Sequence, residues 1–177
     1  MKTYILLLRA INVGGKNILP MKELTSLLLQ SGFHNVETYI QSGNVVLNSE
    51  RKPTENIVAE IENKFGFRPE ILTIEKSQFE LAIANNPFKS VERKLLHLYF
   101  PVNSLKPDTK KLLEMASTTE RYEIIGSVFY LHAPDGIGRS KLVSNLAACL
   151  GGAVTGRNGN TVAKLIAMAQ SASQVYS

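Results

Sequence analysis

The first candidate for chemistry in this chain is a pair of adjacent glycines with a basic residue on either side. The stretch Arg9-Ala10-Ile11-Asn12-Val13-Gly14-Gly15-Lys16-Asn17 ends an apolar run and precedes a helical pattern. Adjacent glycines allow backbone conformations that other residues avoid, and these conformations can turn N–H groups toward a ligand. We therefore interpret the stretch as an anion-binding loop with the candidate residues Arg9, Asn12, Gly14, Gly15 and Lys16. The alternative is a tight turn that needs glycine without any ligand, and the stretch matches neither a triphosphate-binding loop nor a dinucleotide fingerprint.

Two places in the second half also combine turn residues with basic side chains. Gly136–Lys141 follows a predicted strand and opens a predicted helix, where free N–H groups and the helix dipole favour an anion. Thr155–Asn158 precedes the last helix, and an arginine there can bind phosphate or carboxylate oxygens in geometries that lysine cannot copy. The candidate ligand-binding residues are Arg139, Ser140, Lys141, Arg157 and Asn158. Ser140 as a simple helix cap is the alternative at the first place. If all three loops converge, they form one basic cleft.

Three polar residues lie at the bend of a predicted hairpin. Gln41, Ser42 and Asn44 surround Gly43 between two short strand patterns. Their amide and hydroxyl groups form a secondary candidate surface for a polar ligand. Such residues are also ordinary turn formers, so turn chemistry is the alternative interpretation.

The sequence contains no recognisable catalytic arrangement. Its histidines, His34, His97 and His132, include no pair spaced i, i+4, the spacing that zinc-binding helices use. Cys149 is the only cysteine and lies in an apolar helical pattern, so we interpret it as core packing. The sequence therefore predicts no metal site and no cofactor, and it leaves open whether the protein is an enzyme.

The chain is basic, and its charge is unevenly distributed. It has 177 residues, 44% of them hydrophobic, with a formal net charge of +5. Residues 1–76 contribute a net charge of +1 and residues 77–177 contribute +4, and no acidic residue follows Asp135. This distribution favours anionic partners, either phosphate-bearing small molecules or nucleic acid. The first apolar run, Tyr4–Leu8, is too short for a signal-peptide core or a membrane span, so we expect a cytoplasmic protein without a membrane contact.

Hydrophobic periodicity divides the chain into two halves with the same order of elements. The first half predicts, in order, a strand at Tyr4–Ile11, a helix from Met21, strands at Val36–Gln41 and Val45–Leu47, a helix at Ile57–Phe65 and a strand at Glu70–Ile74. The second half predicts a strand at Leu95–Val102, a helix at Asp108–Ala116, strands at Arg121–Ile125 and Val128–Leu131, a helix at Leu142–Leu150, a short strand at Ala153–Thr155 and a final helix capped by Asn160-Thr161.

This order predicts an α+β fold made of two ferredoxin-like (βαββαβ) subdomains that arose by tandem duplication. We place the first subdomain, with its glycine-rich loop, at residues 1–76. A connecting helix and linker occupy residues 77–94. The second subdomain and the C-terminal helix occupy residues 95–177.

Several motifs together resemble a bacterial family of unknown function whose members have about this length. They are Leu8–Lys16 with Met21-Lys22, Gly32-Phe33, Thr38–Val46, Asn86-Pro87-Phe88, Ser140-Lys141-Leu142, Thr155–Asn158 and Asn160–Leu165. The resemblance implies two subdomains of ferredoxin-like character and brings no established activity, substrate or catalytic residue. Members of that family commonly have an aromatic residue where this chain has Gly159.

Three functions are compatible with these patterns. The first is a binding protein that holds a phosphorylated or nucleic-acid ligand in a basic cleft. The second is an enzyme that acts on a small anionic metabolite. The third is a scaffold that binds another protein. The sequence indicates neither the ligand nor the oligomeric state.

Overall fold

The computed structural model describes residues 1–174, and its framework is two four-stranded antiparallel sheets. The first sheet and its helices comprise β1 (Lys2–Arg9), α1 (Met21–Gln30), β2 (His34–Tyr39), β3 (Asn44–Ser49), α2 (Thr54–Phe65) and β4 (Glu70–Glu75). The strands lie in the order β2-β3-β1-β4. Strand β1 pairs antiparallel with β3 on one side and with β4 on the other. This is the strand order of the split βαβ plan that the sequence predicts.

One face of the first sheet forms a core with α1 and α2. The helices bury residues at helical spacing, Leu24 and Leu28 in α1 and Ile57 and Ile61 in α2. They share a hydrophobic cluster with strand residues such as Leu6. Every residue of β1 from Thr3 to Leu8 is buried. Burial on both faces explains why the strand reads as a continuous apolar run in the sequence rather than as an alternating pattern.

The second sheet repeats this arrangement. Helix α3 (Lys76–Ala84) and a short 3-10 turn (Arg93–Leu95) precede it in the chain. The elements that follow are β5 (Leu96–Pro101), α4 (Thr109–Met115), β6 (Arg121–Ile125), β7 (Val128–His132), α5 (Lys141–Ser144), α6 (Leu146–Leu150) and β8 (Val154–Asn158). The strand order is β6-β7-β5-β8, which corresponds to that of the first sheet. The predicted fold class, two ferredoxin-like subdomains in tandem, is therefore confirmed.

The last helix, α7 (Gly159–Gln174), follows β8 directly. Its first turn is capped by Asn158, whose Oδ1 accepts the N–H of Thr161 at 2.9 Å. The predicted caps, Asn160 and Thr161, instead lie inside the helix. Within the described part of the chain, no helix is both long enough and apolar enough to cross a membrane.

By contact density the chain divides into two compact units. Unit 1 comprises Met1–Leu81 together with α7 from Lys164, and unit 2 comprises Ala82–Ala163. The chain therefore passes from unit 2 back to unit 1 within α7. The subdomain boundaries proposed from the sequence, at residues 76 and 95, stay a prediction.

Three predicted elements differ in the structure. The first strand ends at Arg9 rather than Ile11, because Ala10 and Asn12 have left-handed backbones with φ of 55° and 53°. The predicted helix at Leu142–Leu150 is two short helices that meet at Asn145. The last strand continues to Asn158, so Thr155–Asn158 is not the predicted loop.

Candidate functional site

The glycine-rich stretch and the polar hairpin lie at one end of the first sheet, which we call the loop end of unit 1. Strands β1 and β2 finish there and β3 and β4 begin there, as the antiparallel pairs Arg9↔Glu70 and Tyr39↔Asn44 show. The two candidate segments lie far apart in the sequence. The antiparallel order of the strands therefore brings them to the same edge of the sheet.

Residues Asn12–Asn17 form a short β-hairpin, which we call the finger. The N–H of Lys16 donates to the C=O of Val13 at 3.1 Å, and a second bond of 3.1 Å joins the two residues at the base. Gly14 and Gly15 at the tip have φ of 58° and 72°. Positive φ at both central residues is typical of a type I′ turn, for which Gly-Gly is well suited. The tight-turn interpretation thus accounts for both glycines, and anion binding must be argued from other features of the finger.

The side chain of Asn12 anchors the finger. Its Nδ2 donates to the C=O of Leu19 at 3.0 Å and to the C=O of Gln41 at 2.9 Å, while its Oδ1 accepts the N–H of Leu19 at 2.7 Å. Asn17 adds a bond of 2.9 Å from its Nδ2 to the C=O of Ala10. Both amide hydrogens of Asn12 are engaged in these bonds. Asn12 therefore positions the candidate surface, with no N–H left to donate to a ligand.

The hairpin between β2 and β3 has a buried support and an exposed tip. Asn44 is completely buried, and its Nδ2 donates to the C=O of Tyr39 at 3.0 Å and lies 3.2 Å from the Oγ of Ser42. Gln41 and Ser42 are exposed. Asn44 thus shapes the turn, in line with the turn-chemistry interpretation, while Gln41 and Ser42 face solvent beside the finger.

The basic side chains at the loop end of unit 1 differ in how far they are already neutralised. Arg9 forms an ion pair with Glu70, with 2.9 Å between Nη1 and Oε2. Lys16 is exposed and forms no ion pair with any residue in the range 1–174. Lys164 of α7 lies over the ring of Tyr39, with its Nζ 6.0 Å from the ring centroid. Lys16 and Lys164 therefore both have capacity for an external anion.

Sequence reasoning did not assign Lys164 or Tyr39 to the site. Lys164 is 125 positions further along the chain than Tyr39 by their numbers, and only the return of α7 to unit 1 brings them together. The available signal was weak. It consisted of an aromatic residue at a strand end and a basic residue in a stretch without acidic residues.

The tip of the finger presents free backbone donors. No hydrogen bond among the residues that the structure describes uses the N–H of Gly14 or of Gly15, and both residues are exposed. Consecutive N–H groups near a lysine can hold an anionic oxygen. This is the geometric feature at the loop end of unit 1 that points most directly to an anion.

The candidate turn at Gly136–Lys141 belongs to unit 2 and is already bound to an acidic residue of the same chain. Ser140 caps α5, because its Oγ accepts the N–H of Val143 at 3.1 Å, and its hydroxyl donates to the carboxylate of Glu120. Helix α5 has only four residues. Arg139 and Lys141 are exposed on either side. The capping interpretation of Ser140 is thus satisfied without a ligand.

Arg157 and Asn158 lie in β8 and pair with Leu98 and His97 of β5. Successive residues of a strand point to opposite faces of the sheet. The two side chains therefore project to opposite sides and cannot grip one oxyanion together from this strand. The Nη1 of Arg157 donates to the C=O of Gly156 at 2.8 Å, and Asn158 caps α7.

The candidate residues thus fall into two separate sets. Unit 1 contains Arg9, Asn12, Gly14, Gly15, Lys16, Gln41, Ser42 and Asn44, and unit 2 contains Arg139, Ser140, Lys141, Arg157 and Asn158. Hydrogen bonds connect the first set across the finger and the hairpin. A single cleft that includes both sets stays a prediction.

The described residues contain no group of three or more His, Cys, Asp or Glu side chains able to hold a metal ion. Cys149 is buried, and burial raises the pKa of its thiol, which disfavours the reactive thiolate. His97 is also buried, and burial lowers its pKa below the ordinary value of 6.5. These features describe a core cysteine and a neutral core histidine.

Comparison with known proteins identifies a family and a fold. Residues 1–130 match the model of a family described as "Protein of unknown function (DUF1697)". A solved structure, "The structure of conserved bacterial protein SP0830 from Streptococcus pneumoniae", is similar with a TM-score of 0.68 and 24% identity, covering 95% of this chain and 98% of that chain. At this identity the likeness shows the fold. Comparison with curated proteins gives no significant match. Because the family model covers residues 1–130 of 177, the chain belongs to the DUF1697 family of proteins of unknown function.

Proposed function

We propose that the protein binds phosphate-bearing ligands at the loop end of unit 1. The observation that carries the proposal is the pair of free N–H groups at Gly14 and Gly15, adjacent in sequence to the unpaired Lys16. Phosphate oxygens accept hydrogen bonds from backbone N–H groups and charge-assisted bonds from lysine. The proposal keeps the cytoplasmic location expected from the sequence.

The anchoring of the finger supports this proposal. A surface that is already held in place loses little conformational entropy when a ligand binds. Asn12 and Asn17 fix the finger from below through their side-chain amides. The N–H groups at the tip are therefore fixed before the ligand arrives.

The shape of the loop end indicates an open binding surface. Gly14, Gly15, Lys16, Gln41 and Ser42 are all exposed. Lys164 and the partly buried ring of Tyr39 extend the surface from the hairpin side. An extended ligand with several phosphates, such as nucleic acid, can contact both the finger and Lys164, whereas a single phosphate needs only the finger. Participation of Arg139, Lys141 and Arg157 is a separate part of the proposal.

Exposed apolar side chains favour a second candidate function, a scaffold that binds another protein. Val13, Ile18 and Ile40 have exposed fractions of 69%, 55% and 50%. Val13 belongs to the finger, Ile18 follows it, and Ile40 lies in the hairpin that Asn12 joins to the finger. Apolar side chains that cluster on a surface often mark a protein interface. Replacing Val13 and Ile40 by serine separates the two functions, because it removes apolar contacts and leaves the phosphate donors in place.

The test is a titration of the whole protein with inorganic phosphate and with a single-stranded oligonucleotide, monitored by calorimetry. We expect Lys16→Ala to weaken binding about threefold to tenfold, the effect of one lost charge-assisted contact. If the oligonucleotide binds, the same substitution should reduce the slope of log affinity against log salt by about one.

Lys110→Ala is the matched control, because Lys110 is exposed and lies in unit 2, where its Nζ is 3.9 Å from Oε1 of Glu114. Equal losses in the two variants, or no binding of either probe to the unmodified protein, overturn the proposal. Loss of phosphate binding in Arg157→Ala as well supports one basic cleft. Unchanged binding in that variant restricts the site to unit 1.

A further inference from the structure

A pocket of about 310 Å³ lies in unit 1, at the end of the first sheet away from the finger. It is lined by residues before β1, at the start of β2, after β3 and in the first turn of α2, among them Met1, Phe33, His34, Glu50, Arg51 and Asn56. The volume is at the lower limit of small-molecule pockets, which range from about 300 to 1,000 Å³. A ligand that fits inside must therefore be small.

The wall of the pocket carries two opposite charges on adjacent residues. Neither Glu50 nor Arg51 forms an ion pair with another residue in the range 1–174. The turn that carries them is held by Ser49, whose hydroxyl donates to the C=O of Arg51 at 2.7 Å. Phe33, which is 9% exposed, adds an apolar contact. The pocket thus offers a cation, an anion and a small apolar surface in a mainly polar lining.

This combination selects against simple ions. A phosphate dianion near Arg51 also meets the carboxylate of Glu50, and the two like charges repel each other. An ammonium ion near Glu50 is repelled by Arg51 for the same reason. A molecule that carries both charges a short distance apart satisfies both side chains at once.

The N-terminus of α2 adds partial positive charge to the side of the pocket where Arg51 lies. Asn56 lines the pocket, and α2 begins after Pro53 without a side-chain cap. The N–H groups of Thr54, Glu55 and Asn56 have no partner in the described part of the chain. The partial positive charge of this helix terminus favours a carboxylate on the same side of the ligand.

We propose that this pocket binds a small zwitterion of the α-amino-acid class. The carboxylate pairs with Arg51, the ammonium group pairs with Glu50, and an apolar substituent contacts Phe33. The proposal concerns different residues from those at the loop end of unit 1, and it does not depend on phosphate binding there.

The test uses nuclear magnetic resonance of the whole protein, labelled with ¹⁵N and titrated with L-leucine, with acetate and with n-butylamine. L-leucine should shift the amide signals of residues 32–34, 49–52 and 54–56, and the two single-charge probes should shift them far less. Arg51→Gln should weaken L-leucine binding about tenfold, as expected for the loss of a charge-assisted pair. Lys52→Gln is the matched control, because it removes the same charge from the next residue, which is not part of the pocket lining.

Loss of L-leucine binding in Arg51→Gln together with its retention in Lys52→Gln supports the site. Equal losses in both variants show a general charge effect and overturn it. Equal binding of acetate and L-leucine overturns the zwitterion assignment, and so does the absence of any shift with L-leucine. Both substitutions replace exposed side chains, so the fold is retained in each variant.

Discussion

The side chain of Asn12 donates a hydrogen bond of 2.9 Å to the backbone C=O of Gln41, across 29 positions of the sequence. This bond links the finger to the hairpin that carries Ser42 and Gly43. With the two bonds to Leu19, it makes Asn12 the side chain that joins the finger, the segment before α1 and the β2–β3 hairpin. The orientation of the proposed binding surface therefore depends on Asn12.

Replacing Asn12 by alanine should lower the free energy of unfolding by about 2 kcal/mol, because three partly exposed hydrogen bonds are lost. Urea unfolding followed by circular dichroism measures the change. Asn17→Ala is the control, because its side chain makes one exposed bond to Ala10, and it should cost clearly less. A smaller loss for Asn12→Ala than for Asn17→Ala contradicts the anchoring role.

Removing the hydroxyl group should change the stability of the protein differently at two buried tyrosines of unit 2. The hydroxyl of Tyr130 donates to the C=O of Ala82 at 2.6 Å, whereas the buried hydroxyl of Tyr99 has no partner in residues 1–174. Tyr130→Phe should cost about 1–2 kcal/mol and leave an unpaired carbonyl, while Tyr99→Phe should be neutral or stabilising. Urea unfolding of both variants measures the two changes in unfolding free energy. A larger loss of unfolding free energy in Tyr99→Phe than in Tyr130→Phe contradicts the prediction.

The same tyrosines should make the protein less stable at high pH. Burial raises the pKa of Tyr130 and of Tyr99 to about 12. A tyrosine in the unfolded chain loses its proton near pH 10. Between these values the folded state binds more protons, so stability should fall as pH rises. Absorbance titration at 295 nm should show late ionisation of Tyr99 and Tyr130, together with Tyr122, whose pKa is also raised by burial.

His97 should make stability fall in mild acid. Burial lowers its pKa in the folded protein, whereas the unfolded chain titrates near pH 6.5. Below about pH 6.5 the unfolded state therefore binds more protons, and the contribution of His97 is lost as pH falls through the folded pKa. Urea unfolding on both sides of that pH measures the slope. His97→Gln should flatten it, and an unchanged slope would show that other groups are responsible.

Gly159 should resist replacement by any residue with a side chain. A Cβ at this position would lie 2.6 Å from the carbonyl oxygen of Arg93. An aromatic residue here, as the resembled family commonly has, requires the 3-10 turn at Arg93–Leu95 to lie elsewhere. Gly159→Ala should lower the free energy of unfolding by about 1–3 kcal/mol, because the added methyl group overpacks the site. The control is Gly138→Ala, where no atom lies within 4 Å of the new Cβ. Thermal unfolding measures the stability of both variants, and an equal loss of stability in the two contradicts the steric explanation.

The sequence by itself determined the kind and order of the elements. Hydrophobic spacing within each segment reflects which side of a helix or strand is buried, and this is local information. It located α2 and its end at Gly66, which has φ of 77°, and it located the hairpins around Gly43 and Gly126-Ser127. Because the predicted helices and strands follow the same order in both halves, the sequence also predicts the duplication.

Only the tertiary structure decided what each candidate side chain contacts. Arg9 pairs with Glu70, Ser140 with Glu120, and Lys164 lies over Tyr39. The partners in each pair are distant in the sequence and meet through sheet pairing or through the path of α7. The glycine and asparagine neighbours of Arg157 predict a loop, but pairing of β8 with β5 makes Arg157 part of a strand. Residue type therefore indicated which side chains can bind an anion, and long-range packing determined which of them are already neutralised by the protein itself.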